Sequence, residues 1–159
     1  MAIELVREYF EQLGMADKVL EFSVSSATVE LAALALGVEN SRIAKTMSFK
    51  KEDGCILIIT AGDVKIDNSK YKHTFGLKAK MLTPDEVEAF VGHSIGGVCP
   101  FAVKSGVLGI YIDESIRRFS TVYPACGSAN SAIELTPQEL FKYSNATDWV
   151  DVTKAIEQS

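Results

Sequence analysis

One lysine stands inside an otherwise largely apolar run, Arg42-Ile43-Ala44-Lys45-Thr46-Met47-Ser48-Phe49. If the run is a strand, side chains alternate between its two faces, so Lys45 shares a face with Ile43 and Met47. A charge on a core-side face is costly unless it pairs or meets a ligand. The structural alternative is an edge strand whose lysine reaches water along its own stem. A second unusual stretch is "SIGGVCPFAV", residues 94–103. Gly96 and Gly97 allow left-handed backbone and close approach of another molecule. Pro100 fixes its own φ and pushes Cys99 into extended backbone. Together they describe a loop with bare amides beside a stiff apolar corner: a tight turn, one wall of a pocket, or both.

Other candidates are few. Cys99 sits in that loop, but a reactive thiol needs a positive neighbour or a helix N-terminus to lower its pKa, and a small buried cysteine is the plainer reading. Asp113 closes the apolar run "GVLGIYID" and either meets a ligand or caps the turn that begins "ESIRRF". His73 and His93 are the two histidines, and neither lies at ligand spacing from Cys55, Cys99 or Cys126, so no metal is expected. No nucleophile elbow, phosphate loop or zinc-protease motif is present, and no cofactor is implied.

The elements that must position these residues can be read in order. Ile3, Val6, Phe10 and Leu13 recur at helical spacing before Gly14, and "KVLEF" reads as a short strand. "SSATVELAALALGVEN" is a second helix, with serines available as caps, Gly37 as its stop and Leu31, Leu34 and Val38 as its inner stripe. "RIAKTMSF" and "CILIITA" flank the turn "KKEDG" and form a hairpin, the second strand apolar enough to lie at the centre of a sheet. "DNSKYKHTFG" is a short helix capped by Asp67 or Asn68, and "AKML" a brief strand. Thr83-Pro84-Asp85-Glu86 and Thr136-Pro137-Gln138-Glu139 are twin helix starts with a cap, a proline and a glutamate three residues after the cap. "GVLGIYID" is a buried strand, and "STVYPACG" pairs with "SAIEL" around "ACGSAN". Interleaved helices, strands and hairpins predict an α/β fold with a curved mixed sheet.

Composition sets the frame. The 159 residues suffice for one domain with a real core, and 47% hydrophobic with 23% charged residues is ordinary for a globular protein. No apolar run approaches the ~20 residues of a membrane span, and the N-terminal segment reads as a helix rather than a targeting signal. Unpatterned cysteines agree with a reducing compartment, so the cytoplasm is the expected location. The net charge is −5, yet residues 42–80 hold nine basic residues against four acidic, leaving seven basic against seventeen acidic elsewhere. Such a segment is either a footprint for phosphate or a solvated lysine-rich face.

Four stretches in order, "IAKTMSF", "FVGHSIGGVCPF", "GIYIDESI" and "TVYPACGSANSAIELTPQEL", resemble the YbaK/prolyl-tRNA-synthetase-associated editing domain family over roughly residues 15 to 152. The resemblance implies a single α/β domain across residues 1–159, built on a twisted, partly barrel-like mixed sheet. It implies hydrolysis of the ester joining a wrong amino acid to tRNA, in trans, with proline tRNA carrying a small amino acid as the leading substrate. It implies tRNA as partner, with an aminoacyl-tRNA synthetase as a further one, and neither DNA nor a membrane. Lys45 matches the family's functional lysine, with Thr46 beside it. Gly96, Gly97, Pro100 and Phe101 match the glycine-loop motif, with Val98 completing the wall. Asp113 matches the acid that ends the following strand, Gly127 and Ser128 a small-residue loop, and Phe22 a variable pocket position. Two departures stand out: "ACGSAN" lacks the basic residue common in that loop, and Cys99 replaces a small polar residue.

An aminoacyl ester is already activated, so such a site needs to place a water and stabilise charge on the carbonyl oxygen rather than supply a strong nucleophile. Amides near Gly96 and Gly97 would serve as that oxyanion site, a contribution of about 3–4 kcal/mol. Lys45 would bind a phosphate or the carbonyl. The alternative reading is a module that binds aminoacyl-tRNA, or a smaller aminoacyl-adenosine-like ligand, without turnover.

Overall fold

The computed structural model describes residues 2–156. Helix α1 (Ala2–Gln12) leads through a short 3-10 turn into strand β1 (Val19–Glu21), then helix α2 (Val29–Leu36). Strands β2 (Ile43–Lys51), β3 (Gly54–Ala61) and β4 (Val64–Ile66) follow, then helices α3 (Asn68–Phe75) and α4 (Pro84–Phe90). The chain continues as β5 (Val107–Asp113), β6 (Tyr123–Pro124), β7 (Ser131–Ile133), α5 (Pro137–Tyr143), β8 (Asp148–Val150) and β9 (Thr153–Ala155). Five strands form a mixed sheet in the order β6-β2-β3-β5-β8, with β2–β3 antiparallel and the other pairs parallel. Two antiparallel ribbons, β1-β7 and β4-β9, flank it. Among the described residues no helix is long and apolar enough to cross a membrane.

The alternation of β3 divides the core. Every residue of β3 is buried, as its apolar run predicts for a central strand. Cys55, Leu57 and Ile59 join Phe10, Phe101, Ile112 and Leu140 on one face, while Ile56 and Ile58 join Phe49, Tyr71 and Val152 on the other. Both Thr-Pro-x-Glu starts form complete capping boxes, with Thr83 and Glu86, and Thr136 and Glu139, satisfying each other's backbone amides. Asp67 caps α3 as read.

Four expectations change. Helix α2 starts from Thr28, whose hydroxyl accepts from Leu31 N–H, rather than from a serine. Its inner face is Ala32 and Ala33 against Ile43, while Leu31 and Leu34 are 41% and 80% exposed. Alanines let the helix lie close to the sheet, and in a helix apolar on most sides periodicity alone does not pick the face. "AKML" forms only a bridge between Met81 and Phe49. The two runs around "ACGSAN" form a single β-bridge, Val122 with Leu135, instead of a strand pair, because β6 pairs with β2 and β7 with β1.

Part of the basic segment is engaged locally. The guanidinium of Arg42 bonds Thr121 and lies 3.4 Å from Glu134, Lys50 lies near Glu86, and Lys70 holds Asp151 and the Thr153 carbonyl.

Candidate active site

A cavity of about 330 Å³ opens beside β2. Its walls are β2 from Ile43 to Ser48, the 26–29 segment with Ala32, Met81 and Leu82, the loop residues Ile95, Gly96 and Val98, and Tyr123, Ala125, Ser131 and Ala132. The volume is at the small end of ligand sites, matched to a small group rather than a large one.

Among the described residues lining it, Lys45 is the one formal charge. The β2–β3 register pairs Lys45 with Thr60 and Met47 with Ile58, which fixes Lys45 on the face shared with Met47, as alternation predicts. Its ammonium donates to the Val64 carbonyl at the start of β4. Burial pushes the Lys45 pKa below the ordinary lysine value, while the carboxylates of Glu30 and Asp63 partly hold it up. Asp63 is itself engaged by the Arg118 guanidinium at 2.6 and 3.0 Å. The lysine thus keeps one protein acceptor and retains donor capacity at the cavity wall.

Most other polar groups around the cavity are already used. Thr28 caps α2, Tyr123 donates to Glu134 at 3.0 Å, Ser26 donates to the Ala129 carbonyl, and Ser131 bonds within the 126–131 loop. Thr46 Oγ1 is buried and has no hydrogen-bond partner among the described residues. Such an orphan is unusual in native proteins and signals strain, a missing water or a ligand site.

The glycine loop has a different job from the one its bareness suggests. Gly96 has φ +96°, in the left-handed region, and lines the cavity. A Cβ on Gly97 would come within 2.6 Å of Ser128 N and 2.7 Å of its Cα, so only glycine lets this turn lie on the 126–131 loop. The Gly97 N–H is spent on the Ser94 carbonyl at 3.0 Å. Gly127 and Ser128 therefore support the glycine loop from behind instead of lining the cavity.

The other expected residues fall elsewhere. Phe101 is buried against Phe10, with ring centroids 4.8 Å apart, and Pro100 is buried and does not line the cavity. The Phe22 N–H donates to the Asn130 carbonyl and the Asn130 side-chain amide donates to the Phe22 carbonyl, next to β1. Asp113 is 1% exposed and accepts from Ser115 N–H, Val152 N–H and the Thr153 hydroxyl at 2.8–2.9 Å, the capping alternative raised above. Of the expected site residues, Lys45, Thr46, Gly96 and Val98 come together on the cavity.

Cys99 lies 3.5 Å from His93 Nε2, in outline a nucleophile–base pair. However, that nitrogen lies 2.8 Å from the Phe101 carbonyl, to which it donates, and burial pushes the Cys99 thiol up to about 12. The pair pins the Cys-Pro-Phe corner and offers no thiolate. Sequence reasoning missed the polar lining contributed by Ser26, Thr28, Ser48 and Ser131. Only Ser48 had a signal, since it falls two residues from Thr46 and hence on the same face of β2.

Residues 24–143 match the family model described as the aminoacyl-tRNA editing domain. The chain belongs to that family. It is 54% identical to the uncharacterized protein YwhH of Bacillus subtilis over 158 residues, 99% of this chain and 100% of the relative. It is 28% identical over 139 residues to EbsC of Enterococcus faecalis, a candidate Cys-tRNA(Pro)/Cys-tRNA(Cys) deacylase, covering 85% and 84% of the two chains. A solved candidate trans-editing enzyme for prolyl tRNA synthetase superposes with a TM-score of 0.86 at 29% identity, over 97% of this chain and 98% of that one. The cavity is thus the candidate active site of an editing-family domain.

Proposed function

We propose that this chain is a trans-acting deacylase that hydrolyses the ester of a mischarged tRNA, with proline tRNA carrying a small wrong amino acid as its substrate, in the cytoplasm. The observation that carries the reading is Lys45: a half-buried ammonium with spare donors on the wall of a small cavity, in a chain of the editing family. The relatives named for prolyl-tRNA editing support the choice of tRNA.

The reaction needs one water. Its oxygen attacks the ester carbonyl carbon, the bond from that carbon to the ribose oxygen breaks, and the proton lost by water ends on the ribose oxygen. Lys45 binds the terminal phosphate or the carbonyl oxygen and offsets developing negative charge; it does so through the N–H groups that the Val64 carbonyl leaves free. The Gly96 side of the loop faces the same cavity, so main-chain donors there assist the oxyanion. The small volume selects small acyl groups, although one methylene is worth only about 1–3 kcal/mol of discrimination.

The test is release of labelled amino acid from proline tRNA charged with alanine, cysteine or serine, with correctly charged tRNAs as controls. Hydrolysis of one mischarged species, lost by at least about a hundredfold in Lys45→Ala, is the expected result. Binding without turnover by the wild type would replace the deacylase with a sensor.

A further inference from the structure

The edge of β2 that faces the cavity is open over a length of three residues. On this side β6 pairs only with Ile43 and Ala44. Further along, Leu82 N–H donates to the Ser48 carbonyl at 3.3 Å and Lys50 N–H to the Lys80 carbonyl at 2.8 Å. Among the described residues no strand pairs with Lys45–Met47 on this side. The register with β3 runs without a bulge from Ala44 to Lys51, so the direction of each backbone group is fixed. The Ser48 carbonyl and the Lys50 N–H point outward and are used on the 80–82 segment. By the alternation of antiparallel pairing, Thr46 also points its N–H and C=O outward, while Lys45 and Met47 point theirs at β3. The Thr46 N–H and C=O are thus presented to the cavity between two occupied stretches of edge, with the Ser48 N–H on the same side. The unpartnered Thr46 Oγ1 belongs to the same residue.

We infer that the aminoacyl group binds as a one-residue strand added to this gap, its α-ammonium donating to the Thr46 carbonyl and its ester carbonyl accepting from the Thr46 N–H. The inference rests on the reading of the cavity as an aminoacyl-ester site. The spacing of an ammonium and a carbonyl on one α-carbon is that of a residue in an antiparallel hydrogen-bonded pair, so the match requires no movement of β2. The Thr46 amide then acts on the carbonyl oxygen where charge develops, from the wall that also holds Lys45. Recognition through the main chain reads the amino acid's common core and leaves its side chain to the cavity volume. It also sets a length limit, because three residues of strand span only about 10 Å before β6 or the 80–82 segment blocks further pairing. Esters with a free α-amine are substrates, and peptidyl or N-acylated esters are not.

Two measurements test this. In the first, alanyl-proline tRNA and its N-acetyl counterpart are compared as substrates. In the second, 3′-amino-3′-deoxyadenosine carrying amide-linked alanine, free or N-acetylated, is titrated into ¹⁵N-labelled protein. The expected outcome is a shift of the Thr46 amide resonance by the free-amine probe. Acetylation should weaken both binding and turnover about tenfold to a hundredfold, the worth of a charge-assisted bond. Thr46→Val, which keeps the main-chain groups, should keep the preference. Equal handling of the two amines, an unmoved Thr46 amide, or loss of the preference in Thr46→Val would each overturn the inference. Hydrolysis without amine preference removes this inference and leaves the deacylase; probe binding at Thr46 without hydrolysis of any mischarged tRNA does the reverse.

Discussion

Lys45 and Asp113 lie on strands either side of β3, both charged, both withdrawn from solvent, and both matched by the family resemblance. Their surroundings differ in one respect. Three donors close on the Asp113 carboxylate, tying the end of β5 to the following turn and to the start of β9. One carbonyl meets the Lys45 ammonium, and the remaining side of the lysine is cavity. A buried charge whose bonding capacity is filled by its own chain holds the fold, because removing it leaves several orphaned donors. A charge left partly unfilled at a cavity wall has a stability cost that its own chain does not offset, which is the signature of a group kept for a ligand.

The sharpest way to break this comparison is Asp113→Ala. It should destabilise the protein by about 3 kcal/mol or more, since two amides and a hydroxyl lose their acceptor. Urea unfolding would measure the loss. Deacylation per folded molecule, assayed where the variant remains folded, should persist. A variant of wild-type stability that no longer turns over would instead put Asp113 in contact with substrate, through a rearrangement of the β5 end.

What could be read from the chain follows the range of the interactions involved. The two Thr-Pro-x-Glu starts were legible because a capping box is complete within four residues. Strand β3 was legible because a run buried on both faces has no alternation to misread. The face of Lys45 was legible for the same reason in reverse. The face of α2 was not, since leucines and alanines surround it and only the closeness of Ile43 selects Ala32 and Ala33. The reason for Gly97 lies thirty-one residues downstream at Ser128, beyond any local pattern. The open edge at Thr46 was equally hidden, because it depends on where β6 and the 80–82 segment stop pairing.

Lys45→Met sharpens the contrast from the other side. Methionine has similar volume and no charge to desolvate, so folding stability should change by no more than about 1 kcal/mol while deacylation collapses. The pH dependence gives the sign. The folded-state pKa of Lys45 is lowered by burial, so the unfolded chain binds more protons, and wild-type stability gains as pH rises through the folded value toward the unfolded value of 10.5. The methionine variant lacks that gain. Its stability relative to wild type should therefore be greatest near neutral pH and decline as pH approaches 10.5, which paired denaturation curves at several pH values would show. A variant far less stable than wild type at pH 7 would make Lys45 a structural group like Asp113.

The smallest effect is expected at Cys99. Its contact with His93 resembles catalytic machinery, but the thiol is fully buried, held up to about 12, and directed with His93 at the Phe101 carbonyl. Like Asp113, it spends its bonding on its own chain. Cys99→Ala removes one sulfur from a packed interior, a cost of about 1 kcal/mol, and leaves the cavity wall in place. Deacylation should stay within about twofold of wild type, and native Cys99 should resist alkylation at pH 8, where a thiol so far below its pKa holds almost no thiolate. Rapid labelling together with a large loss of turnover in Cys99→Ala would show that the Cys-Pro-Phe corner opens during the reaction, and that the cysteine works on the side of Lys45 rather than of Asp113.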